Sequence, residues 1–268
     1  MRKSGGRSVE ARFVKWIEQY DRPDIVQRAV ELPLRRDMVT LLQYLRDNKV
    51  VGTQSTGNLP RKVVRAVAQQ FVNPPELDYR IGDEVYSFRS ETEVWPVFFL
   101  HLLAWAGRMV VKAPGQRWVV TPYGENFLGM DPLIQVCLML TIWWFQVNWR
   151  VAYPGEGIEE SLPKRFQQTV LARLRGLPVG ERIKFEEFAD SIIEETGLTW
   201  NGEAHFAQSL LRYSIERMVI RIMADFGVLE PEYQKVSLDF GTTTELAAFA
   251  VTSFGTALLE AVLLIARL

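Results

Sequence analysis

Residues 108–122 read RMVVKAPGQRWVVTP, and this stretch decides the fold. The two valine-rich runs on either side of Ala113-Pro114-Gly115 predict a β-hairpin with a short turn. Thr121 followed by Pro122 predicts the start of a helix, because threonine caps helix N-termini and proline suits the first helical turn. The stretch therefore predicts a strand pair that leads directly into a helix.

Three helices and a short strand are predicted upstream of this hairpin. A helix with apolar residues at helical spacing is predicted from Asp37 onward. A short strand is predicted over Val50–Gln54. A second helix follows Asn58 and runs to Phe71, and a third covers about 91–106. Residues 76–90 form either a small hairpin or an insertion. The order helix, strand, helix, helix, strand, strand is typical of a winged-helix domain, a variant of the helix-turn-helix.

The second half of the chain repeats this order. The predicted elements are a helix over 166–174, a strand over 182–185, a helix over 186–196, a long helix over 203–226, and wing strands at 228–230 and 248–252. A long loop is expected between the two wing strands.

Matching residues in the two halves indicate an internal duplication. Gly107 and Gly227 each end a predicted third helix, and Thr121 and Thr252 each precede the next one. In both halves a glycine follows the threonine by three residues and a leucine follows it by seven. Repeats of this length indicate duplicated structural units, and chance similarity of two short patterns is the alternative.

The fold class that follows is mainly α with small β-hairpins (α+β), built from two winged-helix units. The predicted domains are an N-terminal helical extension (1–34), winged-helix unit 1 (35–130), an apolar linker helix (131–150) and winged-helix unit 2 (151–268).

The chain resembles tandem winged-helix proteins on these elements. In addition, residues 53–64, TQSTGNLPRKVV, resemble a segment of largely uncharacterised bacterial proteins, some of them related to plasmid-borne open reading frames. This resemblance covers roughly Leu41 to Leu128. It implies a fold and brings no catalytic residues with it.

Composition restricts the chemistry that the chain can perform. The 268 residues are 48% hydrophobic with a formal net charge of −1, as in a globular protein. The single cysteine, Cys137, excludes an internal disulfide framework and a multi-cysteine zinc site. Neither His101 nor His205 lies in a metal-ligand or catalytic pattern. We therefore expect a protein that is not an enzyme and has no cofactor and no metal.

No targeting signal is expected from the residues of this sequence. The basic start, MRKSGGR, is not followed by an apolar signal region, and no apolar run suits a membrane span. We therefore expect a cytoplasmic protein without a membrane partner.

Charge suggests where a partner would bind. Residues 1–70 carry a net charge of +7, and residues 151–268 carry −6. On the helix after Asn58, a basic face lies opposite the apolar stripe, and further cations lie nearby in sequence. The predicted nucleic-acid-binding residues are Arg61, Lys62, Arg65, Arg36, Lys49 and Arg117. Such a face neutralises phosphates of duplex DNA without reading its sequence, and binding is then sensitive to salt. An ordinary solvated helix face is the alternative.

Two features argue against recognition of a DNA sequence. The third helix of the first unit, which contains His101, is apolar nearly all round and is expected to be buried. In the second unit, the second helix has an acidic surface that repels phosphate, formed by Glu186, Glu187, Asp190, Glu194 and Glu195. On the third helix, Arg212 and Arg221 lie four residues before Glu216 and Asp225, a spacing that predicts ion pairs. The alternative function is therefore a protein-interaction or scaffold module that keeps the fold, with a protein partner or a homodimer.

Overall fold

The computed structural model describes residues 5–153, 162, 165–200, 204–238 and 241–265. These residues are mainly helical, with two-stranded and three-stranded antiparallel sheets, which confirms the predicted fold class of helices with small β-hairpins. No helix within these ranges has both the length and the apolar character needed to cross a bilayer.

The chain forms two compact units. One consists of residues 29–147, and the other combines residues 1–28 with residues 148–268. The predicted N-terminal extension is divided between these units, and most of the predicted linker helix lies within the first of them.

The elements up to residue 147 follow one another closely. In chain order they are α1 (Gly5–Tyr20), α2 (Pro23–Glu31), α3 (Pro33–Asp47), α4 (Arg61–Ala68), β1 (Asp78–Ile81), β2 (Glu84–Ser87), a 3-10 turn (Glu91–Glu93), α5 (Trp95–Ala106), β3 (Val110–Ala113), β4 (Arg117–Val120), α6 (Pro122–Leu128) and α7 (Pro132–Phe145). Residues 76–90 contain the β1–β2 hairpin, so the first of the two alternatives, a small hairpin, is confirmed.

Hydrogen bonds tie the predicted first strand to the hairpin of β3 and β4. Val51 makes an isolated antiparallel bridge with Arg117, and Trp118 N donates to Val50 O at 2.9 Å. The strand predicted over Val50–Gln54 is thus shorter than expected. It runs along β4 and holds the segment before α4 against the hairpin.

The core of this unit forms around α5 and α7, which are buried on nearly all sides. Seven of the twelve α5 residues are buried, His101 among them, as the apolar sequence predicts. On α7, Asp131 caps the helix by accepting from Leu133 N at 2.8 Å. Cys137 is buried there, and its burial raises the pKa of the thiol, so the thiol is unreactive core as predicted.

The second unit holds a three-stranded sheet of order β5-β7-β6. Its elements are α8 (Trp149–Ala152), α9 (Phe166–Arg175), β5 (Ile183–Lys184), α10 (Phe185–Thr196), α11 (Ala204–Ile215), a π-helical segment (Glu216–Arg221), α12 (Ile222–Asp225), β6 (Leu229–Leu238), β7 (Gly241–Val251) and α13 (Ser253–Ile265).

The prediction of a long loop between the wing strands is wrong. β6 and β7 pair from Leu229↔Val251 to Leu238↔Gly241, with one irregularity after Glu232. The sequence pattern missed this hairpin because most of its outer residues are exposed, so no alternation of apolar and polar residues is required there. Backbone hydrogen bonds hold this part of the ladder together.

The N-terminal helix packs on the C-terminal one within this second unit. Trp16 Nε1 donates to Ala257 O at 2.8 Å, and both residues are buried. Burial, together with a hydrogen bond to Glu260, raises the pKa of Tyr20 to about 12. These contacts pack one side of α1 against α13 through the buried Trp16 and Tyr20.

A threonine and a glycine organise the turn after α5. The Thr121 hydroxyl donates to Arg108 O at 2.8 Å and accepts from Gly124 N at 3.1 Å. A Cβ on Gly124 would lie 2.3 Å from Met109 O, so only glycine lets α6 approach the chain this closely.

The second unit builds the same turn with the corresponding residues. The Thr252 hydroxyl donates to Gly227 O at 2.7 Å and accepts from Gly255 N at 2.7 Å. A Cβ on Gly255 would lie 2.2 Å from Val228 O. The threonine therefore makes equivalent hydrogen bonds in both units, and the glycine three residues later allows an equivalent close approach of the backbone.

The structural equivalent of Gly227 in the first unit is Arg108, one residue after the predicted Gly107. Arg108 has a φ of +57° and Gly227 a φ of +71°, and the amide of each bonds the carbonyl three residues before it. This left-handed residue ends each helix, a position that glycine fills at least cost. In the first unit an arginine fills it instead, which the sequence pattern could not reveal.

We predict that Gly255→Ala lowers stability by about 1–3 kcal/mol, because its new methyl group meets backbone that cannot move aside cheaply. Gly129→Ala is the control, since its Cβ would find only Asn126 O at 3.6 Å. Chemical denaturation measures both variants. Equal midpoints for the two would show that the close approach at Gly255 is not required.

We also predict that Arg108→Gly stabilises the protein by about 1 kcal/mol, because it removes the strain of a left-handed arginine. Arg89→Gly, at an exposed loop position without a positive φ, is the matched control and is expected to gain nothing. Thermal melting midpoints of the two variants are compared with that of the wild type. A lower midpoint for Arg108→Gly would contradict the prediction.

Candidate nucleic-acid interface

Two predicted cations lie in the first turn of α4. Val63, Val64 and Val67 are buried, so this short helix turns its other side to solvent, where Arg61 and Lys62 are both exposed. The N-terminal end of a helix carries a partial positive charge, so cations in the first turn do not stabilise it. Helix stability therefore gives no reason for this pair, whereas an anionic partner would.

Arg65, one turn further on, already has partners. Its guanidinium binds the Asp78 carboxylate through two hydrogen bonds of 2.7 and 2.8 Å, and it donates a third to Ser87 Oγ at 2.8 Å. This contact raises the pKa of Arg65 and holds the pKa of Asp78 well below its usual range. The predicted phosphate contact at Arg65 is thus occupied by the β1–β2 hairpin.

The ring of Phe88 lies under both arginines of α4. The guanidinium carbons of Arg61 and Arg65 lie 5.5 and 5.6 Å from its centroid. Phe88 is itself buried. Guanidinium groups over an aromatic ring are held in place without losing their charge, so Arg61 remains available to an anion.

Lys49 and Arg117 lie together, as the predicted interface requires. Both line a shallow pocket of about 210 Å³ formed by the end of α3, β4 and α6. Both side chains are exposed, and neither makes a salt bridge in the described part of the chain. Arg46 lines the same pocket but is held by the Asp47 carboxylate at 2.8 Å.

Arg36 is exposed but lies apart from this pocket. It is in the first turn of α3, whereas Lys49 follows the last turn. Eleven helical residues separate the two positions along α3, which corresponds to about 16 Å. The exposed cations of the candidate interface are thus the α4 pair Arg61 and Lys62, the pocket pair Lys49 and Arg117, and Arg36, which lies outside the pocket.

A buried carboxylate holds α4 in position, and the sequence analysis missed it. Glu91 is 1% exposed; its Oε2 accepts from Leu59 N at 2.6 Å, and its Oε1 lies 2.6 Å from His101 Nδ1. His101 is a core histidine as predicted, with one nitrogen bonded and Nε2 unpartnered among the described residues. Glu91 joins the start of α4 to the middle of α5.

The cations of the second unit are paired differently from the prediction. Arg212 binds Asp190 at 2.6 Å and Glu186 at 2.8 Å, not Glu216, and the contact lowers the pKa of Asp190. Arg221 binds Glu216 at 2.6 Å. These carboxylates lie on the neighbouring helix or on the π-helical segment, whose changed period shifts side chains from the expected spacing. The acidic surface of α10 thus neutralises Arg212.

A metal site has no support in the described ranges. They contain no group of three or more His, Cys, Asp or Glu side chains that could hold an ion. The side chain of His205 and all of Glu203 lie outside the described residues.

Comparisons with known proteins were made on the sequence and on the fold. No protein-family model matches the chain, and no curated protein matches it. Among solved structures, the chain is similar to the restriction endonuclease FokI bound to DNA, with a TM-score of 0.33 and 14% identity. The similarity covers 79% of this chain and 36% of that one, so this chain spans about a third of that protein. A similarity of this size establishes neither a shared fold nor a shared function.

We predict that Glu91→Ala lowers stability by about 3 kcal/mol, because it leaves Leu59 N and His101 Nδ1 buried without their partner. Glu76→Ala, which removes an exposed carboxylate from the same connecting segment, is the control. Denaturation midpoints compare the two. The bridging role is disproved if both variants lose the same stability.

Proposed function

We propose that this chain is a non-enzymatic protein that binds duplex DNA through its phosphates, using the unit formed by residues 29–147. The observation that carries the proposal is the set of four exposed cations Arg61, Lys62, Lys49 and Arg117, none of which forms a salt bridge within the described residues. Exposed cations that no salt bridge holds can exchange their counterions for phosphates.

We further propose that the two units are winged helices that arose by duplication. The matching order of elements and the two equivalent threonine and glycine turns support this interpretation. In a helix-turn-helix, the helix in the position of α5 would enter the major groove. Here α5 is buried, so the proposed contact is with the backbone and involves little sequence readout.

One observation favours the second candidate, a protein-interaction module. The β1–β2 hairpin exposes three large side chains, Tyr79 at 53%, Ile81 at 63% and Val85 at 61%. Exposed apolar groups that lie so close together commonly mark a surface for a protein partner or a second copy of the chain. The two candidates use different surfaces of the same unit and can be tested separately.

The test is fluorescence anisotropy with labelled duplex DNA at several salt concentrations. We predict that Arg61→Ala/Lys62→Ala weakens binding and lowers the slope of log affinity against log salt by about 2, because two phosphate contacts are lost. Lys49→Ala/Arg117→Ala is expected to act in the same way.

The control is Lys15→Ala/Lys235→Ala, which removes the same charge from exposed positions outside the unit. It is expected to keep the wild-type slope. Wild-type protein that does not bind, or equal losses in all three double variants, would contradict the proposed interface. Binding by a protein partner would then be examined with hairpin variants such as Ile81→Ser/Val85→Ser.

A further inference from the structure

The β1–β2 hairpin lies in the chain between α4 and α5 and makes few contacts with the rest of its unit. Its strands pair with each other in the register Asp78↔Ser87 to Ile81↔Glu84, and seven of their eight residues are exposed. Tyr79 and Tyr86 stack across the strands, with centroids 5.7 Å apart. The hairpin is thus held together internally rather than by packing on a helix.

The hairpin and its flanks are acidic where α4 is basic. Residues 76–90 contain four acidic residues, Glu76, Asp78, Asp83 and Glu84, against two cations, Arg80 and Arg89. One of these carboxylates, Asp78, accepts both hydrogen bonds of the Arg65 fork. Arg61 adds a second favourable charge close to the same carboxylate.

The geometry of this contact is the one that a phosphate would use. A guanidinium binds carboxylate and phosphate alike through two parallel N–H bonds, so a bound Asp78 excludes a phosphate oxygen from the same donors. The ion pair is exposed on both sides, at 37% for the Arg65 side chain and 41% for Asp78. An exposed pair is weak, so a competing anion can displace it.

We propose that the β1–β2 hairpin is an autoinhibitory element that occupies Arg65 and thereby weakens phosphate binding on α4. This inference rests on the proposed function. Nucleic acid and hairpin compete for one guanidinium, and the hairpin swings away when the phosphate takes its place. Phe88, buried beneath the arginines, is the fixed point from which the hairpin departs.

The experiment compares Asp78→Ala with Asp83→Ala in the same anisotropy titration. Both variants remove one negative charge from the hairpin, but Asp83 lies in its turn and has no contact with Arg65 among the described residues. We expect Asp78→Ala to bind duplex DNA about fivefold more tightly than wild type, the ratio that corresponds to about 1 kcal/mol for an exposed pair. Asp83→Ala is expected to gain much less.

A second pair of variants tests the role of Arg65 directly. Arg65→Ala alone is expected to change wild-type affinity little, because it removes the phosphate contact and the competing Asp78 contact together. In the Asp78→Ala background, Arg65→Ala is expected to remove the fivefold gain. Thermal midpoints of all four proteins show whether each is folded at the temperature of the titration.

Each outcome decides the proposal. A gain in affinity over a wild type that binds, restricted to Asp78→Ala, supports autoinhibition. Equal gains in DNA affinity for Asp78→Ala and Asp83→Ala, or a loss of affinity in Asp78→Ala, overturn the autoinhibition proposal. The proposed function still stands in that case if the wild-type protein binds DNA. If neither wild type nor any variant binds, the proposed function fails and this inference fails with it.

Discussion

The buried carboxylate of Glu91 is the constraint on which the candidate interface depends. It binds the amide of Leu59, two residues before α4 begins, and lies at hydrogen-bond distance from His101 in the middle of α5. A buried carboxylate is costly unless it is bonded on both sides, so the two contacts stabilise the structure only together. They fix the entry into α4 relative to α5, and with it the direction in which Arg61 and Lys62 point. The β1–β2 hairpin lies in the sequence between Leu59 and His101, the two residues that Glu91 contacts.

The two units use the same turn, but the cations singled out in each differ in whether a carboxylate binds them. In both, a threonine hydroxyl and a glycine without Cβ allow the helix after the hairpin to lie close to the end of an earlier helix. In the second unit, carboxylates of α10 neutralise Arg212. In the first, Lys49, Lys62 and Arg117 have no such partner in the described part of the chain. Lys49, Lys62 and Arg117 are therefore open to an anionic partner, whereas Arg212 is not.

Sequence patterns predicted most of the elements, because helix and strand periods depend on local burial. Both threonine caps, the buried α5 and the helix order of each unit follow from such patterns. The outer part of β6 and β7 was missed because exposed strands need no alternation. The left-handed Arg108 was missed because the sequence suggests glycine for that position.

The sequence names the cations of the candidate site but does not show which residues bind them. Arg65 has the spacing of an exposed face residue, and nothing local indicates that Asp78, thirteen residues later, binds it. Glu91 likewise begins what reads as an ordinary helix, and its two partners come from separate segments. Arg36 and Lys49 were included because both are near α4 in sequence, but only Lys49 lines the pocket with Arg117. Such contacts depend on tertiary structure, which a single sequence pattern does not contain.

The most direct measurement is an amine-modification footprint of the protein with and without saturating duplex DNA, read by mass spectrometry. The account predicts that DNA protects Lys49 and Lys62, which lie on the two parts of the proposed interface. It predicts that the exposed Lys15 and Lys235 of the other unit react equally in both samples. Protection of Lys15 and Lys235 with Lys49 and Lys62 left reactive would contradict the account.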